Sequence, residues 1–324
     1  IGDYSYRSGD TLGTKPFKIY KVSEINIFTD SPSSKNRTKI ADSVTYNNYN
    51  LYSTDKLKYK PRALTDAVFI TKGGIYADYK NNLTSRALSN LKVFAYPSIQ
   101  YEVDPNDSLN QSLIANIYLS PRKKYSFGAS FDVTHSNIQD FGVTGNLSVS
   151  IRNLFNGAET LEIAGRGNIG SSRDMANPRD NFFNISEYGA DMRLNFPRVF
   201  FPFKTDRIIP KEMIPSTQIS MGFAKQQNIG LDKENLTGAL TYNWTPKRYN
   251  SARLDLFNIQ YVKNINVSNY FNVYRSSYRA LNEIAQNYPL DPLYLNESGN
   301  LLIDFGTNGF LNEVLGENPT ITPT

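Results

Sequence analysis

The chain has 324 residues, a formal net charge of +5, 13% aromatic residues and no cysteine. The absence of cysteine excludes a disulfide framework and a thiolate metal site. A catalytic triad or multi-histidine metal site would have to use the single histidine, His135, which follows a predicted strand and is best interpreted as a turn residue. There is no run of about 18 apolar residues, so no transmembrane helix is predicted.

The length suits two or three ordinary domains, or one barrel with an appendage. Residues 56–62 and 122–124 are rich in lysine and arginine, and we expect both clusters to be solvated surface and not a nucleic-acid site. We predict no cofactor. Residues 1–6 lack the basic and then apolar start of a signal peptide, so we expect a mature chain or an internal piece.

The first 120 residues predict a small α+β unit. Leu83, Ala87, Leu88 and Leu91 recur at helical spacing, which makes residues 77–91 the clearest helix of the chain. Residues 31–50 are polar and predict a long loop or a short hairpin. The expected order is strand, helix, helix, strand, strand, with the helices on one face of a sheet: residues 17–29, 61–70, 77–91, 98–103 and 112–119.

From residue 126 onward, apolar and polar residues alternate in one stretch after another, as in strands with one apolar and one polar face. We predict a bulge near Asn258, a helix within residues 264–300 that carries Tyr278, Leu281, Ile284 and Ala285, and an eighth strand at residues 301–305. The seven alternating stretches are residues 126–134, 141–152, 160–169, 187–196, 218–225, 236–244 and 252–262.

So many long strands with two unlike faces are typical of a transmembrane β-barrel, which has lipid outside and water inside. A soluble β-sandwich would show the same alternation, and what the apolar face contacts distinguishes the two. Several polar faces carry charges in mid-strand, which suits a wet lumen or an exposed face equally: Asp132, Glu162, Arg166, Asp191, Arg193 and Asp255.

This organisation resembles the BamA/TamA family of outer-membrane assembly factors, and the Tyr- and Asn-rich inserts resemble its Bacteroidetes-type members. Residues 83–96 resemble the second helix of a POTRA domain and the turn into its next strand. Residues 125–162 resemble the first two barrel strands and the start of the third. Asn195, Phe196 and Pro197, with residues 200–203, resemble the periplasmic turn after the fourth strand.

The resemblance implies an α+β POTRA-like domain followed by antiparallel transmembrane β-barrel strands that form an incomplete barrel in this chain. The expected parts are an N-terminal segment (1–16), a POTRA-like domain (17–121) and the N-terminal half of a barrel with long loops (122–324). Barrels of this family have about sixteen strands, and the family's Arg-Gly-Phe/Tyr loop motif and terminal strand ending in an aromatic residue are absent. Since an open edge in lipid leaves backbone groups unpaired, we expect either a fragment or another segment that supplies the missing strands.

The function implied is non-enzymatic assembly, insertion or translocation of outer-membrane proteins, with the N-terminal domain in the periplasm of a bacterium. The implied class also includes bacterial surface antigens. The expected partners are nascent outer-membrane proteins, accessory periplasmic or lipoprotein subunits, and outer-membrane lipid.

Two sets of residues are the candidate sites. Gly128 and its small neighbours favour weak, exchangeable pairing of the first barrel strand with a client, or they simply pack against the lumen. The strand-pairing set is Ser126, Phe127, Gly128, Ala129, Ser130 and Phe131. Edge strands of the POTRA-like sheet would bind partners by strand addition, and their residues are Ile19, Val22, Ile25, Ile27, Ile99 and Tyr101.

Three other functions compete with assembly. The first is a passive outer-membrane pore or a two-partner-type secretion channel. The second is an enzyme carried by a barrel, in which Asp132 and Glu162 face one lumen as paired carboxylates. The third is a soluble all-β binding protein.

Overall fold

The structure is a computed structural model that describes residues 18–31, 40–109, 111–135, 141–171, 183, 185–203, 205, 207–227, 232–247, 249–266, 270–303 and 305–314. Within these residues the chain forms a five-stranded sheet, a seven-stranded sheet and a small helical cluster. The predicted N-terminal segment 1–16 lies outside the described residues.

The N-terminal unit is a mixed sheet with helices on one face. Its strands are β1 (Lys21–Phe28), β2 (Asp42–Tyr46), β3 (Tyr49–Ser53), β4 (Phe94–Val103) and β5 (Ser112–Pro121), and its helices are α1 (Pro61–Thr65) and α2 (Asp78–Asn90). The strand order is β2-β3-β1-β5-β4. β1 runs parallel to both β3 and β5, whereas β2 with β3 and β4 with β5 form antiparallel pairs.

The predicted strand, two helices and two strands form in that order, with the hairpin β2–β3 inserted after the first strand. Ala87, Leu88 and Leu91 are buried against the sheet, and Leu83 packs beside them, so the apolar stripe of α2 faces the core as predicted. Helix α1 begins at Pro61, whose fixed φ suits the first turn, but it ends at Thr65 and is shorter than predicted.

Strands β2 and β3 form a hairpin after β1 in chain order. Asn47 and Asn48 both have left-handed φ values, 48° and 66°, which suit a two-residue turn between β2 and β3. Of the two alternatives for residues 31–50, the structure therefore has the short hairpin, while residues 32–39 lie outside the described part.

All seven alternating stretches are strands, and each pairs antiparallel with the next. In β12, Leu256 is the extra residue between the pairs Asp255–Thr241 and Phe257–Leu240, so the predicted bulge lies two residues before Asn258. The strands are β6 (Tyr125–Thr134), β7 (Phe141–Arg152), β8 (Thr160–Ser171), β9 (Ile185–Phe196), β10 (Ser216–Gln227), β11 (Asp232–Lys247) and β12 (Asn250–Asn266). The sheet is open, with β6 at one edge and β12 at the other.

The pairing register separates the two kinds of side chain onto two faces. One row of paired residues crosses the whole sheet as Tyr125, Ile151, Leu161, Leu194, Ile219, Leu240 and Phe257. The next row on this face, hereafter the apolar face, is Phe127, Val149, Ile163, Met192, Met221, Gly238 and Ile259. Between them, on the polar face, runs the row Ser126, Ser150, Glu162, Arg193, Ser220, Ala239 and Asn258.

A helical cluster follows β12. It contains α3 (Tyr270–Val273), α4 (Arg275–Ala285), α5 (Phe305–Gly309), a π-helical turn (Phe310–Val314) and a 3₁₀ turn (Pro292–Tyr294). The predicted helix is confirmed as α4, which buries Leu281 and Ala285 against Phe271, Leu301 and Phe310. No helix of the described residues is long and apolar enough to cross a membrane.

The predicted eighth strand at residues 301–305 is wrong. Leu301 makes only an isolated bridge with Leu295, and α5 begins at Phe305. A short apolar run does not distinguish a strand from a locally buried segment, and here Leu301 is fully buried in the helical cluster.

Candidate functional site

Strand β6 forms one open edge of the seven-stranded sheet. It pairs with β7 on one side, and no described strand pairs with its other side. Every residue of β6 except Ser126 is exposed, and Phe127 keeps 70% of its surface exposed. An unpaired edge presents a row of backbone donors and acceptors to any extended segment that approaches it.

The side chains of β6 add little to its pairing with β7. Ser130 Oγ accepts a 3.2 Å hydrogen bond from Asn146 Nδ2, and Ser148 Oγ lies 3.5 Å from the Gly128 carbonyl oxygen. A Cβ atom at Gly128 would stand 2.7 Å from Ser148 Oγ, so glycine permits this close approach. The β6–β7 pair is held mainly by the backbone ladder, with the apolar pair Phe127–Val149 on the other face.

The prediction that β1 is an edge strand is wrong. β1 lies between β3 and β5, and its residues Val22, Ile25 and Ile27 are buried in the core, while Ile19 precedes the strand and is 66% exposed. The hairpin β2–β3 occupies the edge that β1 would otherwise present. The two asparagines at residues 47–48, between apolar-alternating stretches, were the sequence signal for this hairpin.

Strand β4 does lie at an edge of the five-stranded sheet. Ile99 and Tyr101 point their side chains towards the core and are partly buried there. The Tyr101 ring stands edge-on to Tyr76 at 4.9 Å between centroids. Burial, followed by the neighbouring Tyr76 and Asp78, raises the pKa of Tyr101. Strand addition at β4 would therefore use its backbone, and it stays a prediction.

The mid-strand charges lie on the polar face, where several form pairs. Arg166 contacts Asp191 at 2.6 Å and Glu187 at 3.4 Å. Asp255 accepts hydrogen bonds from Thr241 Oγ1 at 2.6 Å and from Arg253 Nε at 3.0 Å. These contacts pair Arg166 and Asp255 with neighbouring charges on this face.

The register does not bring Asp132 and Glu162 together. Asp132 is paired with Thr144, whose partner on β8 is Asn168, six residues from Glu162. Six residues of strand span about 20 Å, so these two carboxylates do not form a catalytic pair. No group of three potential metal-ligating His, Cys, Asp or Glu residues occurs in the part of the chain that the structure describes.

Sequence reasoning missed a contact between the β7–β8 turn and the N-terminal domain. Asn153 Nδ2 donates to the Lys58 carbonyl at 2.8 Å, and the Lys60 amide donates to the Asn156 carbonyl at 2.6 Å. Ala158 is 1% exposed and belongs to the core of the N-terminal domain. The turn is therefore docked on that domain. The only signal for this contact in the sequence was the asparagine and glycine content of the turn.

The segment between β9 and β10 makes a second contact with the same domain. Lys211 Nζ donates to the Val68 carbonyl at 3.0 Å, and Ile214 packs against the domain core. Arg198 joins the two turns, because its guanidinium contacts the carboxylate of Glu159 at 2.9 Å. Glu159 is 1% exposed and also accepts a 2.8 Å hydrogen bond from the Gly157 amide.

No model of a protein family matches the chain, and no curated protein matches it. Among solved structures, it is similar to BamA from Haemophilus ducreyi lacking POTRA domains 1–3, with 12% identity and a TM-score of 0.45 over 78% of this chain and 45% of that one. It is also similar to CdiB from Acinetobacter baumannii (10% identity, TM-score 0.33, 81% of this chain and 66% of that one). It is similar as well to CdiB from Escherichia coli, with 9% identity and a TM-score of 0.25 over 82% of this chain and 59% of that one.

The chain thus spans between 45% and 66% of the length of these three proteins. Similarity at these identities and scores does not by itself assign a function.

Proposed function

We propose that the chain is part of an outer-membrane β-barrel that inserts or translocates other outer-membrane proteins, without enzymatic activity. One observation carries the proposal: a seven-stranded sheet with an exposed apolar face ends in β6, which has no second partner strand among the described residues and follows a domain docked on the turns of the sheet. An incoming client strand would pair with residues Ser126 to Phe131 of that edge.

The apolar face supports a membrane location. Its large side chains are exposed on every strand, including Phe127, Leu147, Ile163 and Ile259. Soluble proteins rarely expose apolar patches larger than a few hundred Å². A soluble sandwich would bury such a face under a second sheet, and none of the described strands packs on it. Lipid is the solvent that fits this face, and the ion-paired polar face fits a wet lumen.

The N-terminal unit supports a periplasmic, POTRA-like role for residues 17–121. Its elements follow the order strand, helix, helix, strand, strand, with the hairpin β2–β3 inserted after the first strand. The N-terminal unit contacts the turns at the end of the sheet where β6 begins. Because β6 to β12 are seven consecutive antiparallel strands, β12 ends at the opposite end of the sheet, and the helical cluster follows it there. In an outer membrane the domain would lie in the periplasm and the helical cluster outside the cell.

The partners of this function are nascent outer-membrane proteins and outer-membrane lipid, with accessory periplasmic or lipoprotein subunits as further candidates. A passive pore or two-partner-type secretion channel is the second candidate function. It is favoured by the polar face, whose charges Arg166, Asp191 and Asp255 are already paired within the sheet, as in the wall of a water-filled channel.

Depletion in the native bacterium, with proline variants for complementation, tests the assembly role. The backbone N–H groups of neighbouring residues in β6 point in opposite directions, one towards β7 and the next towards the open edge. Of the variants Ala129→Pro and Ser130→Pro, one therefore removes an N–H that pairs with β7, and the other removes an N–H that faces the open edge. We expect depletion to lower outer-membrane protein levels several-fold. The folded proline variant that has lost only the outward N–H should not restore them.

Matched controls come from the same pair of positions, because Ala129→Ser and Ser130→Ala keep both N–H groups and should restore full levels. If every outer-membrane protein keeps its normal level after depletion, the assembly role is wrong and the pore remains.

A further inference from the structure

A cavity of about 510 Å³ lies where the N-terminal domain meets the turns of the seven-stranded sheet. Helices α1 and α2, with the residues that follow them, form one wall, which includes Ala67, Ala87 and Leu91. Ala158 and Ile214, from the two turns, form the other. The cavity is therefore built from both parts of the chain, and its volume falls within the range of small-molecule sites.

Small side chains create this space. Ala63, Ala67, Ala87 and Ala158 all line the cavity, and all four are buried. Larger apolar residues at these positions would fill the volume, as they usually do in a well-packed interior. Leu91, Phe196 and Ile214 complete an apolar lining.

The charges of the lining are predominantly positive. Four cations, Arg62, Lys92, Arg198 and Lys211, and two acids, Asp66 and Glu212, contribute to it. Arg62 pairs with Asp66 and Arg198 with Glu159. Lys211 donates to the uncharged Val68 carbonyl, and its Nζ lies 5.3 Å from the centroid of the Phe69 ring. Among the described residues the exposed Lys92 side chain has no hydrogen-bond or ion-pair partner. Two cations, Lys92 and Lys211, and one acid, Glu212, thus border the cavity without a described ion pair, so its unpaired charge is net positive, which favours an anion.

Three left-handed backbone conformations also lie at the same place. Lys92, Ala158 and Ile214 have φ values of 58°, 63° and 46°, in the left-handed region that non-glycine residues disfavour. All three line the cavity. Strained residues persist where the surrounding structure holds them, and they cluster at ligand sites.

We propose that this cavity binds a small amphiphilic anion, with its apolar body among the alanines and its carboxylate or phosphate at Lys92 and Lys211. Such a ligand touches α1 and α2 on one side and both turns on the other. Its binding would fix the N-terminal domain against the sheet. The site shares no residue with β6, so it goes beyond the strand-pairing function and does not depend on it.

Titration calorimetry on the full chain in amphipol tests the proposal with three probes: 4-phenylbutyrate, the neutral 4-phenyl-1-butanol, and inorganic phosphate. We expect 4-phenylbutyrate to bind with a dissociation constant on the order of 1 mM, as befits a fragment-sized ligand. The alcohol should bind at least about tenfold weaker, because it lacks the charge, and phosphate alone should not bind. Equal binding of acid and alcohol, or no binding of the acid, would overturn the proposal.

Two variants locate the site. Ala67→Leu fills the apolar part and should weaken 4-phenylbutyrate at least about tenfold, with thermal unfolding to check that the fold is kept. Lys92→Gln keeps the backbone conformation and removes the charge, so it should weaken the acid but leave the alcohol unchanged. Lys72→Gln, in a turn of the same domain away from the cavity, is the matched control. Wild-type affinity in Lys92→Gln would contradict the site.

Competition distinguishes the sources of the anion. Displacement of 4-phenylbutyrate by vesicles of anionic phospholipid, but not of zwitterionic phospholipid, would identify a bilayer lipid as the ligand. Displacement by neither would exclude a bilayer lipid and leave a soluble anion as the source. Loss of binding in all these experiments would leave the β6 edge untouched, because β6 does not line the cavity.

Discussion

At the scale of single residues, buried tyrosines of the N-terminal domain carry a pH dependence. Tyr59 is buried in the core, where its ring packs against Phe94 at 4.9 Å between centroids. Burial, with a smaller contribution from the carboxylate of Asp30, raises the pKa of Tyr59 from 10.0 to about 12. A charged phenolate would have no compensation in this apolar site.

Alkaline conditions should therefore destabilise the domain in a defined window. Below pH 10 the phenol is neutral in both states, and its stabilising contribution is complete. Between pH 10 and about 12 the unfolded chain releases this proton while the folded chain retains it, so the free energy of unfolding falls as pH rises. The loss is complete once pH passes the folded pKa.

The free energy of unfolding of the variant Tyr59→Phe should depend less on pH between pH 10 and about 12. The measured quantity is the free energy of unfolding in urea, variant minus wild type. We expect this difference to be about 1 kcal/mol more favourable to the variant at pH 11 than at pH 8. Tyr96→Phe is the matched control, since Tyr96 is 94% exposed and should change nothing at either pH. An equal pH dependence of wild type and Tyr59→Phe would show that this phenol is not responsible.

At the scale of elements, two turns decide how the parts of the chain meet. Asn153 and Asn156 adopt left-handed conformations, which asparagine tolerates better than most residues, and they shape the β7–β8 turn. Ala158 then enters the core of the N-terminal domain. A turn that elsewhere would only reverse the chain therefore acts here as a docking element.

The docking of this turn can be measured by cross-linking. The chain has no native cysteine, so Lys60→Cys with Asn156→Cys forms a clean pair at a backbone hydrogen bond of 2.6 Å. We expect a short bifunctional thiol reagent to join them in most molecules. Adding Ala158→Asp should lower the yield at least about fivefold, because it buries an unpaired carboxylate in an apolar core.

Each single-cysteine variant is the background for this experiment. A cross-link that forms equally well with Ala158→Asp would mean that the turn does not depend on its anchor in the N-terminal core.

At the scale of the whole molecule, the separation of two faces across seven strands is the dominant feature. Successive residues of each strand alternate between the two faces, and the bulge at Leu256 shifts this alternation within β12. The open edges β6 and β12 are the two places where the described sheet lacks a neighbour. Under the proposed function, the apolar face would contact lipid and the free edge of β6 would accept a client strand.

Cysteine labelling in lipid bilayers tests this arrangement. Val149 and Ser148 are neighbours in β7, an interior strand, and they point to the apolar and polar faces respectively. Ser148→Cys should react with a charged, membrane-impermeant thiol reagent at least about tenfold faster than Val149→Cys, because lipid excludes the charged reagent. In denaturant both should react alike. Equal rates in the bilayer would contradict the membrane location and favour a soluble sheet.

Much of the fold could be predicted because its signals are local. Each alternating stretch from residue 126 onward is a strand because period-two patterning directly specifies two faces, and the stripe Ala87, Leu88 and Leu91 specifies the buried face of α2. The apolar run at residues 301–303 carried too little pattern to distinguish a strand from a packed loop. Of the candidate site, the β6 edge position followed from strand order, whereas the edge at β1 did not.

By itself, the sequence determined the seven strands β6 to β12 and the helices α2 and α4, where the apolar face of each of those strands lies, and that the six mid-strand charges named above share the polar face. Only the tertiary structure decided that the hairpin β2–β3 covers β1, that Asp132 and Glu162 lie far apart, and that Ala158 and Ile214 close a cavity against α1 and α2. The physical reason is the distance along the sequence over which each kind of interaction acts. Patterning acts between residues a few positions apart, whereas register, edge coverage and domain contact depend on pairings between residues up to 143 positions apart.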